Sequence, residues 1–435
     1  MKVNIPESDQ KRIVIVGAGF AGLTLADKLA KSKFQVVLID KNNYHQFQPL
    51  FYQVAMAGLE PSSIVFPIRK FFRKRPNVYF RVTEVQSIEM EANRIHTDLG
   101  IVNFDYLVLA TGADTNFFGN EKIASKAIPM KSISEALFLR NRILSDFEKA
   151  LSITNYQDRQ GYIDILIVGG GPTGVEVAGA LAEMRNYVLP KEYPELDYKE
   201  IDIILVQSGN RILKGMSEEA GEKALQFLQK LGVKIILNDR VTDYDGKTVF
   251  LKSGDQIPSR KVIWAAGITG NKIKGLPEAT IVRGNRIKVD HRCLVAGTEN
   301  IFAVGDIAFM EKEAFPYGHP QVAQVAMQQA KLVAKNFKRP EKAKDFVYKD
   351  LGSMATIGRN KAVVDLPNFK FQGAFAWLVW LFVHLYQLLG VKNRIFVFIN
   401  WVWNYFTYDQ SLRLIIRPHQ AGNKEKRSSL EEELK

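Results

Sequence analysis

Four consecutive apolar positions, Ile13-Val14-Ile15-Val16, predict a strand covered on both faces, because a strand with one wet face would alternate. They run into Gly17-Ala18-Gly19-Phe20-Ala21-Gly22 and then into Leu23 to Ala30, which reads as a helix. A second run, Gln35 to Ile39, predicts a neighbouring strand that ends in Asp40. The succession returns later: Ile163 to Val168 leads into Gly169-Gly170-Gly171-Pro172-Thr173-Gly174 and the helical stretch Val175 to Arg185. The segments between the copies differ, so this is a repeated unit and not a solenoid. Two further short strands end in small turns, Tyr106 to Leu109 before Ala110-Thr111-Gly112, and Ile301 to Val304 before Gly305-Asp306.

The C-terminal part breaks this alternation. Phe371 to Val391 holds 21 residues without Lys, Arg, Asp or Glu, and Ile395 to Tyr408 is rich in aromatics. Twenty uncharged residues could span a bilayer. However, Trp377, Trp380, His384 and Gln387 recur at helical spacing as one interfacial stripe, with Phe375, Leu378, Phe382, Leu385 and Leu389 on another. That division favours a helix lying in the membrane interface, with Arg413 and Arg417 suited to anionic headgroups. A single span, a buried subdomain and a dimer interface stand as alternatives. Lys335 to Lys349 reads as a solvated linker and residues 418–435 as a polar tail.

The glycine spacing carries chemistry. Gly17 allows a tight turn, Gly19 leaves room for a pyrophosphate, and Gly22 lets helix and strand pack closely. The helix N-terminus then faces the phosphates, and Asp40 stands where a carboxylate accepts from a ribose. Gly169, Gly171 and Gly174 repeat the pattern, so two dinucleotides are expected. The single cysteine, Cys293, excludes a disulfide, a dithiol pair and a Cys-based metal cage, so redox chemistry must come from bound cofactors. His45, His319 and His384 lack metal-ligand spacing, and no metal is expected. The net charge of +13 asks for an anionic partner, of which an acidic membrane surface and dinucleotide phosphates are favoured over nucleic acid. The N-terminus lacks the pattern of a secretory signal, so a cytoplasmic location is expected.

The order of these motifs resembles the two-dinucleotide-binding-domain flavoprotein superfamily. The resemblance implies an α/β chain with two Rossmann-like domains, an FAD domain split by an inserted NAD(P)H domain, and a C-terminal amphipathic helical membrane-attachment region. The expected divisions are 1–115 and 286–370 for the FAD domain, 116–161 for a connection, 162–285 for the NAD(P)H domain and 371–417 for membrane attachment. It places FAD at Gly17, Gly19, Phe20, Ala21, Gly22, Asp40 and Lys41, with Val85, Ala110, Thr111 and Gly112. Gly305, Asp306, Ala323 and Gln324 complete that site, Asp306 meeting the ribitol. The nicotinamide nucleotide falls to Gly169, Gly171, Pro172, Thr173, Gly174, Glu176, Gln207, Ala266 and Gly267.

Gln46 to Ala55, the Ala323-Gln324-Val325-Ala326-Met327-Gln328 pattern and the aromatic C-terminus narrow the resemblance to type II NADH:quinone oxidoreductase. On a helix Gln324 and Gln328 share a face. The family implies that they line a quinone head-group site with Gln48 and Pro49, and that Glu176 lies beside the reacting rings, orienting the nicotinamide or moving a proton. It also implies a peripheral homodimer on the cytoplasmic face of the inner membrane that reduces a lipid quinone without pumping protons. Gln207 departs from the usual Glu, so NADH is expected to be preferred with NADPH less strongly excluded. A soluble ferredoxin-type reductase and a redox-sensing flavoprotein module are the rival readings.

Overall fold

The computed structural model describes residues 1–408 and 412–416; Arg417 and the expected tail lie outside them. A five-stranded parallel sheet runs in the order Ile301–Ala303, Tyr106–Leu109, Arg12–Val16, Gln35–Asp40, Val78–Val82. A second parallel sheet repeats the plan with Ile128–Pro129, Val262–Trp264, Ile165–Val168, Ile203–Val206 and Lys234–Ile236. The β-branched runs occupy the central strands of both, where Ile13 to Val16 and Ile165 to Val168 are all buried.

Seven helices place the site: α1 (Phe20–Leu29), α2 (Phe51–Ala55), α3 (Ile133–Leu151), α4 (Pro172–Tyr187), α5 (Ala323–Lys338), α6 (Ala374–Gln387) and α7 (Val391–Thr407). Helices α1 and α4 follow the first strand of their units, and α5 lies along α1. Ser132 and Glu135 form a reciprocal capping box at the start of α3. A three-stranded antiparallel sheet, Ser353–Gly358, Lys361–Leu366 and Phe369–Gln372, lies on α4. A Cβ at Gly179 would come within 2.3 Å of the Ile357 carbonyl oxygen, so glycine permits that close approach.

The C-terminal segment corrects two expectations. The uncharged run is not one helix: α6 ends at Gln387, and Gly390, at φ +85°, turns the chain into α7. Fourteen residues reach roughly 21 Å, short of a bilayer's ~30 Å hydrocarbon core. No described helix is long and apolar enough to cross a membrane. Within the tryptophan stripe, Trp380 faces inward instead. Trp380 is 1% exposed and shares a core cluster with Ala178 and Leu181 of α4, while Phe375, Leu378 and Phe382 stand out on the surface. Residues 335–349 are likewise no free linker: Phe346 is buried, and the stretch leads into a strap fastened to α5.

Candidate functional site

The two glycine turns divide their labour in the same way. Gly17 has φ +101°, and a Cβ there would lie 2.3 Å from the Ala110 oxygen; at Gly22 it would lie 1.8 Å from the Gly17 oxygen. At Gly19 it would meet nothing within 4 Å. In the second unit Gly169 (φ +108°) and Gly174 are equally crowded, at 2.5 and 1.9 Å, while Gly171 faces open space. Gly19 and Gly171 are also the caps of α1 and α4, and neither helix has a side-chain cap. Each turn thus leaves an open cradle before uncapped main-chain N–H groups, which fits a pyrophosphate.

Asp40 and Gln207 hold equivalent places in the two units. Asp40 accepts from the Ala18 amide at 2.6 Å and from Asn42 at 2.7 Å; Gln207 accepts from the Gly170 amide at 2.7 Å. Burial raises the Asp40 pKa, and the amides of Ala18 and Asn42 and the charge of the exposed Lys41 oppose it. Thr111 donates to the Asn271 oxygen at 2.8 Å, and the Asn271 amide donates to the Gly112 oxygen, so this turn joins the end of the first sheet to the segment leaving the second. Ala266 and Gly267 follow the strand Val262–Trp264, with Phe118 against Gly267. Val85 opens the strand Val85–Glu89.

Asp306 is half-buried with no side-chain hydrogen bond to a described residue, and burial raises its pKa against the pull of Lys131 and Arg286. A carboxylate so placed fits a polyol hydroxyl. Ala323 begins α5, whose Gln329 accepts from the Gly305 amide at 2.7 Å.

Gln324 and Gln328 do share a face of α5, yet their amides are not free. Gln324 accepts from the Leu351 amide and donates to the Gly352 oxygen at 2.9 and 3.1 Å; Gln328 donates to the Lys349 oxygen and accepts from its amide at 2.8 and 3.0 Å. Both amides clamp the strap 349–352, an extended segment whose main-chain groups they satisfy. Gln48, exposed, and Pro49, half-buried, open a 3-10 turn ahead of α2.

A partly open cavity lies elsewhere. A cavity of about 120 Å³ is lined by Tyr52 and Gln53 of α2, Glu176 and Glu183 of α4, Thr356 and Arg359, Trp380 of α6, and Trp401 and Tyr405 of α7. Gln48, Pro49, Gln324 and Gln328 are not among its lining residues. Burial pushes the Glu176 carboxyl up to about 8, held back by the Thr356 amide and the Trp380 indole. Glu176 therefore holds a proton at neutral pH. Trp380 stacks on His384 at 3.9 Å, and His384 Nδ1 donates to the Trp380 oxygen at 2.7 Å; burial pushes the imidazole down to about 4. The Trp401 indole donates to Gln53, which donates to the Tyr52 hydroxyl, at 2.7 and 2.8 Å, and so docks α7 on α2. Tyr52 and Gln53 belong to the run Gln46 to Ala55, and Trp380 and Trp401 to the aromatic segments, so those four had a local signal. Glu183 and Arg359 had none.

Residues 11–330 match the pyridine nucleotide-disulphide oxidoreductase family, and residues 351–408 match the NDH2 C-terminal domain. A type II NADH:quinone oxidoreductase of Mycobacterium tuberculosis is 36% identical over 428 residues, covering 94% of this chain and 91% of the relative. The chain belongs to the type II NADH:quinone oxidoreductase family. The type II enzyme of Staphylococcus aureus is 30% identical, covering 82% of this chain and 89% of its own. In fold the chain is similar to NDH2 from Plasmodium falciparum solved with NADH, with a TM-score of 0.86, 23% identity and cover of 94% and 100% of the two chains. Within the pyridine nucleotide-disulphide group this type II oxidoreductase lacks a thiol pair. Its lone Cys293 is fully buried, and burial raises the thiol pKa, so it is kept unreactive.

Proposed function

We propose that this chain is a membrane-associated flavoenzyme that oxidises NADH and reduces a lipid quinone to quinol without pumping protons. The observation that carries the reading is the placement of Glu176, its carboxyl pushed up to about 8, against a cavity closed on its other side by the aromatic C-terminal helices. A quinone accepts electrons and protons together, and a neutral carboxylic acid in a walled cavity can donate one. The balance is NADH + H⁺ + quinone → NAD⁺ + quinol.

The first glycine turn with Asp40, Asp306 and Ala323 would hold FAD, whose two-electron chemistry no side chain of this protein supplies. Gly171, Pro172 and Thr173 at the start of α4, with Gln207, would hold NADH. NADPH is accepted poorly, because the nearby Arg211 donates to the carbonyl oxygens of Lys214 and Met216, both at 3.1 Å, and so is turned away from a 2′-phosphate. The chain's own contribution is to align the two nucleotides at the ends of parallel strands and to exclude water.

Membrane attachment rests on an outward face of Phe375, Leu378, Phe382, Ile395, Phe398, Ile399, Trp403 and Phe406, all at least half exposed. Basic residues flank it: Lys70 lies over the Phe66 ring, and Phe66 packs under Gly390 at the α6–α7 turn. Arg69, Arg73 and Lys74, next to Lys70 in the chain, and Lys392 at the start of α7 are exposed, which suits anionic headgroups. Arg413 is not part of this rim, since it pairs with Glu192. The proposed location is the cytoplasmic face of the inner membrane, as a homodimer.

Anaerobic reduction of the purified flavoprotein by NADH, followed by a soluble quinone, tests the reading. Reoxidation of the flavin supports it, and failure of quinone to reoxidise the flavin rejects it.

A further inference from the structure

Glu183 lines the same cavity as Glu176 and has no part in the scheme above. The two carboxyls are seven residues apart on α4, so they leave one face of the helix, roughly 10.5 Å apart along its axis. Their surroundings differ. Glu176 is next to Trp380, 1% exposed. Glu183 is next to Gly358 and Arg359, and Arg359 leads to the Asn404 and Tyr405 carbonyls, the Tyr405 residue being 37% exposed. Glu183 thus stands at the outer end of the cavity and Glu176 at the inner end.

The bonding leaves Glu183 suited to exchange a proton. One of its oxygens accepts from the Arg359 main-chain amide. The Arg359 guanidinium is turned away, donating to the Tyr405 and Asn404 oxygens at 2.7 and 2.6 Å and lying 3.4 Å over the Tyr408 ring. Glu183 forms no ion pair with any described residue. Burial raises its pKa, and the Arg359 amide and the charges of Arg359 and Lys361 oppose the rise. The groups facing it are Arg359 and Lys361 from the C-terminal sheet, Tyr52 from α2, Tyr405 from α7 and Glu176 from its own helix.

We propose that Glu183 is the outer station of a proton relay for quinone reduction. It takes a proton from water at the Arg359–Tyr405 rim and passes it through water in the cavity to Glu176, which passes it to the quinone oxygen. This rests on the quinone reading above. One proton enters per quinone reduced, only O–H bonds are made and broken, both electrons come from NADH, and each carboxyl ends as it began. The cavity, at about 120 Å³, has room for several waters, each needing ~10–15 Å³, and Gln53, Tyr52 and Asn404 offer them partners.

The test compares wild type, Glu183→Gln and Glu183→Asp in the holoenzyme, following NADH oxidation with a soluble quinone and with ferricyanide, which takes up no proton. The relay predicts that Glu183→Gln lowers the ratio of quinone to ferricyanide turnover about ten-fold or more. Imidazole or formate buffer should restore it several-fold, and Glu183→Asp should retain the wild-type pH profile. A Glu183→Gln enzyme with the wild-type ratio and pH profile would overturn the relay, as would a loss that neither buffer nor Asp recovers. A wild-type enzyme that reduces ferricyanide but no quinone would overturn the functional reading, and the relay with it.

Discussion

The side-chain oxygen of Gln207 accepts from the Gly170 amide at 2.7 Å, the contact that Asp40 makes with Ala18 at 2.6 Å in the other unit. One position is neutral and the other acidic, and that difference bears on nucleotide choice. With Arg211 committed to main-chain oxygens, the wild-type enzyme is expected to prefer NADH. Gln207→Glu puts a carboxylate where a 2′-phosphate would stand. It should raise the NADH over NADPH ratio of kcat/KM by about ten-fold, or ~1.4 kcal/mol of discrimination. A ratio unchanged or lowered by the substitution would show that Gln207 does not meet that ribose.

Glu176 makes stability fall as pH rises. Its folded pKa of about 8 lies above the ordinary 4.5, so across that window the fold keeps a proton that the unfolded chain has released. Its contribution is complete below pH 4.5 and is lost progressively as pH approaches 8, on the order of a few kcal/mol in all. Glu176→Gln should therefore flatten the Tm against pH curve between 5 and 8, read by calorimetry. In the same variant quinone reduction should fall and lose its alkaline limb.

The two kinds of glycine in the first turn separate folding from cofactor retention. Gly19→Ala meets no protein atom and the residue has an extended backbone, φ −70°, so the apoprotein should melt as wild type does. Its methyl group would occupy the pyrophosphate approach, so the purified protein should be pale, with little absorbance at flavin wavelengths. Gly22→Ala drives a methyl group against the Gly17 carbonyl and should yield little folded protein. Yellow Gly19→Ala protein would contradict the cradle.

Gln328 and Gln324 hold the strap. Gln328→Ala removes two hydrogen bonds to Lys349 and should cost about 1–3 kcal/mol locally. Amide hydrogen exchange of residues 349–352 should speed up, while exchange in the central strands stays slow. Unchanged strap exchange with a raised quinone KM would instead return Gln328 to the head-group site.

Membrane attachment should be lost by surface change rather than by truncation. Trp380, Leu388 and Val397 belong to a core shared with α4, so deleting the C-terminal helices would strip that core. Replacing Phe375, Phe382, Phe398 and Phe406 with Ser leaves the buried side intact and should abolish flotation with liposomes. Changing Arg69, Lys70, Arg73 and Lys74 to Gln should weaken binding to anionic vesicles and reduce its salt dependence, with little effect on neutral ones.

The fold class and both dinucleotide turns were legible in the linear chain because their demands are local. A Cβ at Gly17 or Gly22 collides with main chain a few residues or one strand away, and Ile13 to Val16 must be apolar whatever lies beyond. Tertiary packing decided the rest. The cavity gathers Tyr52, Glu176, Arg359, Trp380 and Trp401 from five separate segments, and no spacing links them. Helical periodicity marked two stripes on α6 without saying which meets protein, and packing on α4 turned Trp380 inward and Phe382 out. It likewise placed Gln324 and Gln328 on one face, but only the passage of residues 349–352 over α5 decided that their amides hold main chain. Motifs set by close main-chain contact can be read one residue at a time, whereas burial, and with it the proton on Glu176, depends on what other segments bring.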